Sequence, residues 1–222
     1  MRAYKFLCRK YGVQSLKERR LKQSTVNDLN DPFELVPYDI TDPTIRKTFL
    51  KTRDDMHEQR GVLCFSADWN DPVIWAHYSE KHFGICLGFE IPEITGDPQS
   101  DCDYVKYVDN PHYFNFHHYE ELAEQDSTQI VRKILFTKYK HWLYEHEIRC
   151  WSPLEKPEGE KNLRFVKFSD KLKLVEVILG ARCDTTRAQI VEAVGPTASE
   201  IKIIKARAAY DRFQMVEDEA WR

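Results

Sequence analysis

Apolar and polar positions along this chain follow two periods, one typical of strands and the other typical of helices. Short apolar runs predict buried strands at "RAYKFLC" (2–8), "GVLCFS" (61–66), "GICLGFEI" (84–91) and "LKLVEVILG" (172–180). Between the first two runs, apolar residues at helical spacing predict a helix over "DPTIRKTFLKTRDDMHEQR" (42–60). Short strands with helices between them indicate an α+β protein.

The triplet Asn-Asp-Pro occurs twice, at 30–32 and at 70–72. An aspartate can cap a helix and a proline suits the first helical position, so each triplet predicts a helix start. The second opens the predicted helix "PVIWAHYSEKH" (72–82), in which Trp75 and Tyr78 are three residues apart and share a face. Core packing is the prediction for Trp75.

The second half of the chain predicts four further elements. These are a helix at about 119–142, a strand at "YEHEIRCW" (144–151), a helix at "DTTRAQIVEAV" (184–194) and a last strand at "SEIKIIKARA" (199–208). No linker rich in Pro, Gly or Ser divides the chain. We therefore expect a single domain over residues 1–222.

Composition and charge narrow the functional classes. With 42% hydrophobic and 13% aromatic residues the chain can bury a substantial core, so disorder is not expected. The net charge of -3 makes no case for nucleic-acid binding, although a local basic patch stays open. The first residues, "MRAYKFLCRKYG", carry charges where a signal peptide is apolar, and no apolar run approaches membrane-spanning length. We expect a cytoplasmic protein with no membrane partner.

Cysteine and histidine positions argue against a metal site. The six cysteines include no CxxC pair and several lie in apolar runs, so we expect reduced core thiols instead of disulfides or zinc ligands. His112, His117 and His118 lie in one aromatic segment, but their spacing matches no common zinc pattern. The sequence therefore predicts no metal.

The segment "YEHEIRCW" combines charged and aromatic residues on a predicted strand. Alternation places Glu145, Glu147 and Arg149 on one face. A solvated edge strand is the ordinary interpretation, because charged residues usually face water. A catalytic interpretation is also open, because two neighbouring carboxylates can stabilise positive charge at a sugar carbon and activate a nucleophile. Arg149 could hold one carboxylate in its ionised form.

Three other segments carry candidate chemistry. Ser66 ends an apolar strand, where its hydroxyl has two equally expected roles, contacting a ligand or capping the following turn. On the predicted helix, Tyr78 or His77 could line a pocket for a flat ring. The basic, aromatic segment "KYKHW" (138–142) is expected to be a solvated face, with a docking surface for a nucleic acid or diphosphate as the alternative.

Six motifs occur in a fixed order along the chain. They are "YKFL" (4–7), "NDPFE" (30–34), "GVLCFS" (61–66), "WAHYSEKHFGICLGFE" (75–90), "K...WLYEHEIR" (138–149) and "VEVILG" (175–180). Together they resemble a widespread bacterial family known as domain of unknown function 2971, over about residues 4–180. The family name implies no activity, but its frequent occurrence in mobile and defence-related gene settings implies a toxin or anti-phage effector role.

The order of these motifs is also similar to that of ADP-ribosyltransferase folds. That resemblance implies two small, mostly antiparallel sheets around a central cleft, with flanking helices. Such enzymes have His or Arg on a first strand, Ser or Thr at the end of a second, and a catalytic Glu on a later strand, often as E-x-E. Lys5 or Tyr4 falls at the first position and Ser66 at the second. Glu147 falls at the third, and Glu145 completes E-x-E.

The resemblance implies an enzyme that uses NAD as a substrate, with a protein or nucleic acid as acceptor. Glu147 would stabilise the ribosyl cation and Glu145 would assist the acceptor. The residues expected to bind NAD are Tyr4, Lys5, Ser66, His77, Tyr78 and Arg149. A lysine at the first position departs from the pattern, because a point charge lacks the planar fork of arginine. Two alternatives therefore stay open: a nucleotide- or partner-binding module without turnover, and a structural domain with its carboxylates on an exposed edge.

Overall fold

The computed structural model describes residues 1–97, 100–113 and 124–221, with side chains from residue 128 onward in the helix that begins at 124. The strands in these residues are β1 (Arg2–Leu7), β2 (Arg20–Gln23), β3 (Arg60–Ser66), β4 (Ile85–Glu90), β5 (Cys102–Tyr104), β6 (Lys106–Val108), β7 (Thr137–Tyr139), β8 (Glu147–Pro153), β9 (Arg164–Lys167), β10 (Lys173–Leu179), β11 (Lys202–Ala208) and β12 (Met215–Glu217). The α-helices are α1 (Arg9–Glu18), α2 (Pro43–Gln59), α3 (Pro72–Tyr78), α4 (Glu124–Phe136) and α5 (Arg187–Val194).

One large sheet dominates the fold. Its eight strands lie in the order β12-β11-β10-β4-β1-β3-β8-β5, and two further two-stranded sheets pair β2 with β9 and β6 with β7. Within the large sheet β10 and β11 are parallel, joined through α5, and the other neighbours are antiparallel. The predicted α+β class is confirmed. The expectation of only small sheets is wrong, because β1 and β3 join two groups of strands into one sheet.

The junction between β1 and β3 is narrow. All six residues of β1 pair with β4, but the registered contact of β1 with β3 is the single pair Tyr4–Ser66. The sheet therefore consists of two parts, β12-β11-β10-β4-β1 and β3-β8-β5, which meet at one point. An opening can form beside this point without breaking either part.

Apolar side chains cover both faces of the sheet, as the alternation along each strand requires. One core packs α1 and α5, through Leu16 and Ile190, against the face that carries Ala3. The opposite face carries Phe6, whose ring meets the edge of Trp75 on α3 at a centroid distance of 5.0 Å. Trp75 is fully buried, so its predicted core position is confirmed.

The two Asn-Asp-Pro triplets have different structures. At the second, the Asp71 carboxylate accepts a hydrogen bond from the Val73 backbone N–H, and α3 begins as predicted. At the first, residues 30–32 begin a turn, so the predicted helix start is wrong. There Asp31 caps the Phe33 N–H, and Leu35 adopts a left-handed φ of 61° that ends any helical path.

The helix predicted at 119–142 is shorter in the structure than expected, and one pair of cysteines is not reduced. Within the described residues α4 ends at Phe136, and the chain continues as β7 because it pairs with β6. Cys102 and Cys150 lie directly opposite each other on β5 and β8 and form a disulfide, so the expectation of reduced thiols is wrong for this pair.

His117 and His118 lie outside the described residues. No helix in the described ranges combines the length and apolar content needed to cross a bilayer.

Candidate functional site

A cavity of about 210 Å³ lies beside the junction of β1 and β3. Residues 4–6 of β1, residues 64–66 of β3 and the segment 28–30 line it, together with several buried charged side chains. Sites that enclose whole drug-sized molecules measure roughly 300–1,000 Å³. This cavity therefore suits a small ligand or one part of a larger ligand.

Tyr4, Ser66 and Glu147 form one row across three adjacent strands. Tyr4 is in register with Ser66, and Ser66 with Glu147. Residues directly opposite each other in antiparallel strands project from the same face, with Cβ atoms about 4.5–5.5 Å apart. All three residues line the cavity. The fold thus places three residues that are distant in the sequence side by side in the cavity wall, with the Tyr4 hydroxyl interacting with Glu176 of β10.

The two carboxylates of the E-x-E motif are buried, so the interpretation of a solvated edge strand is wrong. Glu145 and Glu147 are each 5% exposed, and β8 lies between β3 and β5. The predicted strand also begins later than expected: Glu145 ends a 3₁₀ turn, His146 adopts a left-handed φ of 42°, and β8 begins at Glu147. Strand alternation therefore does not bring the carboxylates together. A shared cation does, since Lys138 Nζ donates to Glu145 Oε2 at 2.6 Å and to Glu147 Oε2 at 3.2 Å.

A buried guanidinium holds Glu147 from its other side. Arg149 Nε donates to Glu147 Oε1 at 2.7 Å and Nη2 donates to Oε2 at 3.0 Å, which is the bidentate geometry of strong charge-assisted pairs. Arg149 Nη2 also donates to Glu34 Oε1 at 2.8 Å, and Lys138 Nζ lies 3.5 Å from the same oxygen. Three carboxylates thus face two cations. We call Glu34, Lys138, Glu145, Glu147 and Arg149 the charge cluster.

The charge cluster shifts the pKa values of its two motif carboxylates in opposite directions. Burial raises the pKa of Glu147, but attraction to Arg149, hydrogen bonds from Arg149 and attraction to Lys138 outweigh burial and lower the pKa to about 2. Burial also raises the pKa of Glu145, and here the attraction of Lys138 does not overcome it, so the pKa stays raised. Carboxylates separated in this way suit different roles. Glu147 is a fixed anion, whereas Glu145 can exchange a proton.

Two tyrosines fix the positions of these carboxylates. The Tyr78 hydroxyl donates to Glu145 Oε1 and accepts a hydrogen bond from Asn30 Nδ2 at 2.8 Å. Burial, followed by repulsion from the Glu145 charge, raises the pKa of Tyr78, so the phenol stays protonated and able to donate. The Tyr107 hydroxyl accepts a hydrogen bond from the Glu147 backbone N–H at 2.9 Å, which anchors the start of β8.

The other residues expected from the sequence occupy different positions around the cavity. Lys5 lines it and donates from Nζ to the Cys64 carbonyl at 2.9 Å, across the gap between β1 and β3. Ser66 lines it and also accepts a 3.4 Å hydrogen bond from the backbone of the following turn, so both of its expected roles stay open. His77 is exposed, does not line the cavity, and lies 5.8 Å from the Tyr144 ring. Arg149 is fully buried behind Glu147 and acts through that carboxylate.

Sequence reasoning missed two members of the charge cluster. Lys138 was expected on a solvated basic face, but its side chain is 4% exposed, because three carboxylates compensate its charge. For Glu34 the favoured prediction is a helix start, and the resemblance implies a loop bordering the cleft as the alternative. The turn at 30–34 directs Glu34 to Arg149, with its side chain 1% exposed. The sequence does carry a signal for both residues, since each lies in one of the six ordered motifs: Glu34 ends "NDPFE" and Lys138 begins "K...WLYEHEIR".

Comparison with known proteins finds a family that matches part of the chain. Residues 74–150 match the family described as "Protein of unknown function (DUF2971)", which confirms the family resemblance over this segment. The matched residues run from α3 to β8 and include Tyr78, Lys138 and both motif carboxylates. No curated protein and no solved structure matches the chain at a significant level.

Proposed function

We propose that the cavity binds NAD and that the chain is an NAD-dependent ADP-ribosyltransferase-like enzyme. In this proposal the nicotinamide ribose enters between β1 and β3. Tyr4, Lys5 and Ser66 contact the ribose, and the Tyr78 ring borders the nicotinamide. The cavity volume of about 210 Å³ suits this part of a dinucleotide better than the whole molecule.

The observation that carries the proposal is the position of Glu147 opposite Ser66 in the cavity wall. When the bond between the nicotinamide nitrogen and ribose C1′ breaks, its electron pair leaves with nicotinamide and positive charge develops on the sugar. A buried, ionised carboxylate stabilises that charge, because a fixed anion in a water-poor site needs no reorganisation as the reaction proceeds. The lowered pKa of Glu147 keeps it ionised over the physiological range.

In this proposal Glu145 acts as the general base when the acceptor attacks the sugar. The acceptor forms a bond to C1′ and must lose a proton, and a carboxylate within hydrogen-bond reach can take it. The raised pKa of Glu145 suits this role, because it brings the base closer to the operating pH. We propose a protein or nucleic acid as acceptor and a toxin or defence effector as the biological role.

One observation favours a second candidate, a nucleotide-binding module without turnover. Both oxygens of Glu147 are already engaged, one by Arg149 and the other by Arg149 and Lys138. A carboxylate neutralised on both oxygens stabilises an additional cation less than a free one does. Lys5, in addition, donates to a backbone carbonyl instead of pointing freely at a ligand.

Nicotinamide release from NAD by the purified chain tests the proposal. We expect release by the wild type, and its loss in Glu147→Gln, which keeps the shape of the side chain and removes its charge. Glu219→Gln, a change at an exposed glutamate outside the cavity, is the matched control and should release nicotinamide at the wild-type rate. Melting curves of each variant show whether a loss of release reflects unfolding.

The same preparation separates the two candidates. NAD that raises the melting temperature in a saturable way without any release supports the binding module, because a ligand that binds the folded state stabilises it. If NAD produced no stabilisation and no release of nicotinamide, both candidates would be contradicted.

A further inference from the structure

A second cavity, of about 390 Å³, lies next to the first. Asp28 lines both, so the two cavities meet at this residue. The second cavity lies between β2, the C-terminal end of α2 and the segment that precedes β9. Neither the E-x-E motif nor the charge cluster reaches it.

Three basic side chains line the second cavity, and two of them lack an acidic partner. Lys22 is paired with Asp28 at 3.0 Å, but within the described residues Lys161 and Arg164 form no ion pair with a carboxylate. Glu58, the other carboxylate in the lining, is exposed. The cavity therefore has an excess of positive charge, although the whole chain carries -3.

Two buried nitrogen atoms in the same lining have no partner among the described residues. Arg164 Nε, a donor, and His57 Nδ1 both lack a hydrogen-bond partner in this part of the chain. A buried polar atom without a partner costs free energy, which a ligand or water that reaches it recovers. An arginine N–H together with a lysine ammonium group suits the oxygens of a phosphate.

The first cavity extends from Ser66 toward Asp28. Ser24, which lines the same cavity, pairs with Val62 on β3, four residues before Ser66. At about 3.3 Å per residue, four strand residues span ~13 Å. A ligand whose ribose lies at Ser66 and whose chain runs past Ser24 can therefore reach Asp28, which also lines the second cavity.

From this arrangement we infer that the second cavity binds the adenosine-diphosphate half of NAD, with Lys161 and Arg164 contacting its phosphate oxygens. The inference rests on the proposed function, since it places the rest of the same ligand. It also explains how a first cavity of about 210 Å³ serves a ligand much larger than its own volume.

Calorimetric titration of the full chain with ADP tests the inference. We expect wild-type protein to bind ADP, and binding to weaken with added salt, because charge pairs near the surface are screened. Lys161→Gln and Arg164→Gln should each weaken ADP binding about tenfold or more, the usual cost of losing a hydrogen bond between charged groups. Lys171→Gln, an exposed lysine outside both cavities, is the matched control and should bind ADP like the wild type.

The outcomes separate this inference from the proposed function. ADP binding that is lost in Lys161→Gln, without nicotinamide release by any form, supports the second cavity and contradicts the enzyme. Nicotinamide release with an unchanged KM for NAD in Lys161→Gln supports the enzyme and overturns the second cavity. Wild-type protein that fails to bind ADP, or that binds a single-stranded oligonucleotide instead, also overturns it. Because Lys161 is exposed, its substitution keeps the test decisive even if Arg164→Gln unfolds.

Discussion

Glu145 and Glu147 share one ammonium group, since Lys138 Nζ lies 2.6 Å from Oε2 of the first and 3.2 Å from Oε2 of the second. The contact joins a 3₁₀ turn to the start of β8 and holds both carboxylates in the lining of one cavity. It also makes each carboxylate sensitive to the charge of the other. Substitutions at these three positions therefore give the clearest tests of the site.

Replacement of Lys138 by Met should strongly destabilise the fold at neutral pH. Methionine has a similar volume, but three buried carboxylates would then face Arg149 alone. Removal of one partner from a buried ion pair typically costs about 3–5 kcal/mol. Urea unfolding measures this loss. Part of the stability should return in mild acid, because the carboxyl groups of Glu34 and Glu145 have raised pKa values and accept protons there.

Lys140→Met is the matched control for this substitution. Lys140 is two residues away, half exposed, and paired with the exposed Asp109. Exposed pairs contribute little to stability, so the control should unfold close to wild type. Equal stability of the two variants would contradict a buried role for Lys138.

Glu145→Gln should gain stability relative to wild type as the pH rises. Burial raises the folded-state pKa of Glu145 above its ordinary value of 4.5. The folded state then binds the proton more tightly than the unfolded state, so wild-type stability falls between pH 4.5 and the raised pKa. Glutamine resembles the protonated form and avoids that loss. Urea unfolding of both proteins across this range measures the difference, and a difference that is constant with pH would contradict the raised pKa.

Glu147→Gln should lose stability relative to wild type as the pH rises, the opposite of Glu145→Gln. The folded-state pKa of Glu147 is lowered to about 2, so its stabilising contribution is complete above 4.5 and is lost as the pH falls toward 2. The variant lacks this contribution and should be less stable than wild type at neutral pH, with the gap closing in acid. The stability difference between variant and wild type should therefore change with pH in opposite directions for Glu145→Gln and Glu147→Gln.

Local patterns were sufficient to predict the main strands but not the turns between them. The apolar runs at β3, β4 and β10 are buried on both faces of the sheet, so composition alone indicates a strand. The two Asn-Asp-Pro triplets are locally identical, yet only Asp71 begins a helix. The first forms a turn that brings Glu34 to Arg149. Local propensity cannot predict this contact, because the two residues are far apart in the sequence.

The same limit applies to the candidate site. The sequence singles out Glu145 and Glu147 because two carboxylates lie among aromatic residues, but the predicted strand that grouped them does not include Glu145, which ends a 3₁₀ turn. The burial of Lys138 was not predictable, because a lysine is normally solvated and its burial depends on three carboxylates, Glu34 from the turn at 30–34 and the neighbouring Glu145 and Glu147. The single-sheet arrangement was also not predictable, since it depends on the pairing of Tyr4 with Ser66.

The Cys102–Cys150 disulfide should contribute measurably to stability. It joins β5 to β8 and closes a loop with a sequence separation of 48 residues. A bond of this kind typically contributes about 2–4 kcal/mol, so reduction should lower the melting temperature by several degrees. Thiol titration of the unfolded protein should find four free thiols before reduction and six after it.

A double variant provides the control for the disulfide. Cys102→Ser combined with Cys150→Ser should melt at the temperature of the reduced wild type and should not respond to reductant. Six reactive thiols in the untreated protein would contradict the bond between these strands.

Tyr78→Phe should raise the pKa of Glu145 further. The substitution keeps the ring in the cavity wall and removes the hydroxyl between Glu145 and Asn30. That hydroxyl donates a hydrogen bond to the carboxylate and so favours its ionised form, which lowers the pKa against the larger effect of burial. The acidic limb of the pH profile for nicotinamide release should therefore move to higher pH. Titration of the Glu145 side-chain carboxyl by nuclear magnetic resonance gives the same shift without any need for turnover, and Tyr11→Phe, at an exposed tyrosine, should leave both curves unchanged. A Tyr78→Phe titration that overlays the wild type would show that the hydroxyl does not act on Glu145.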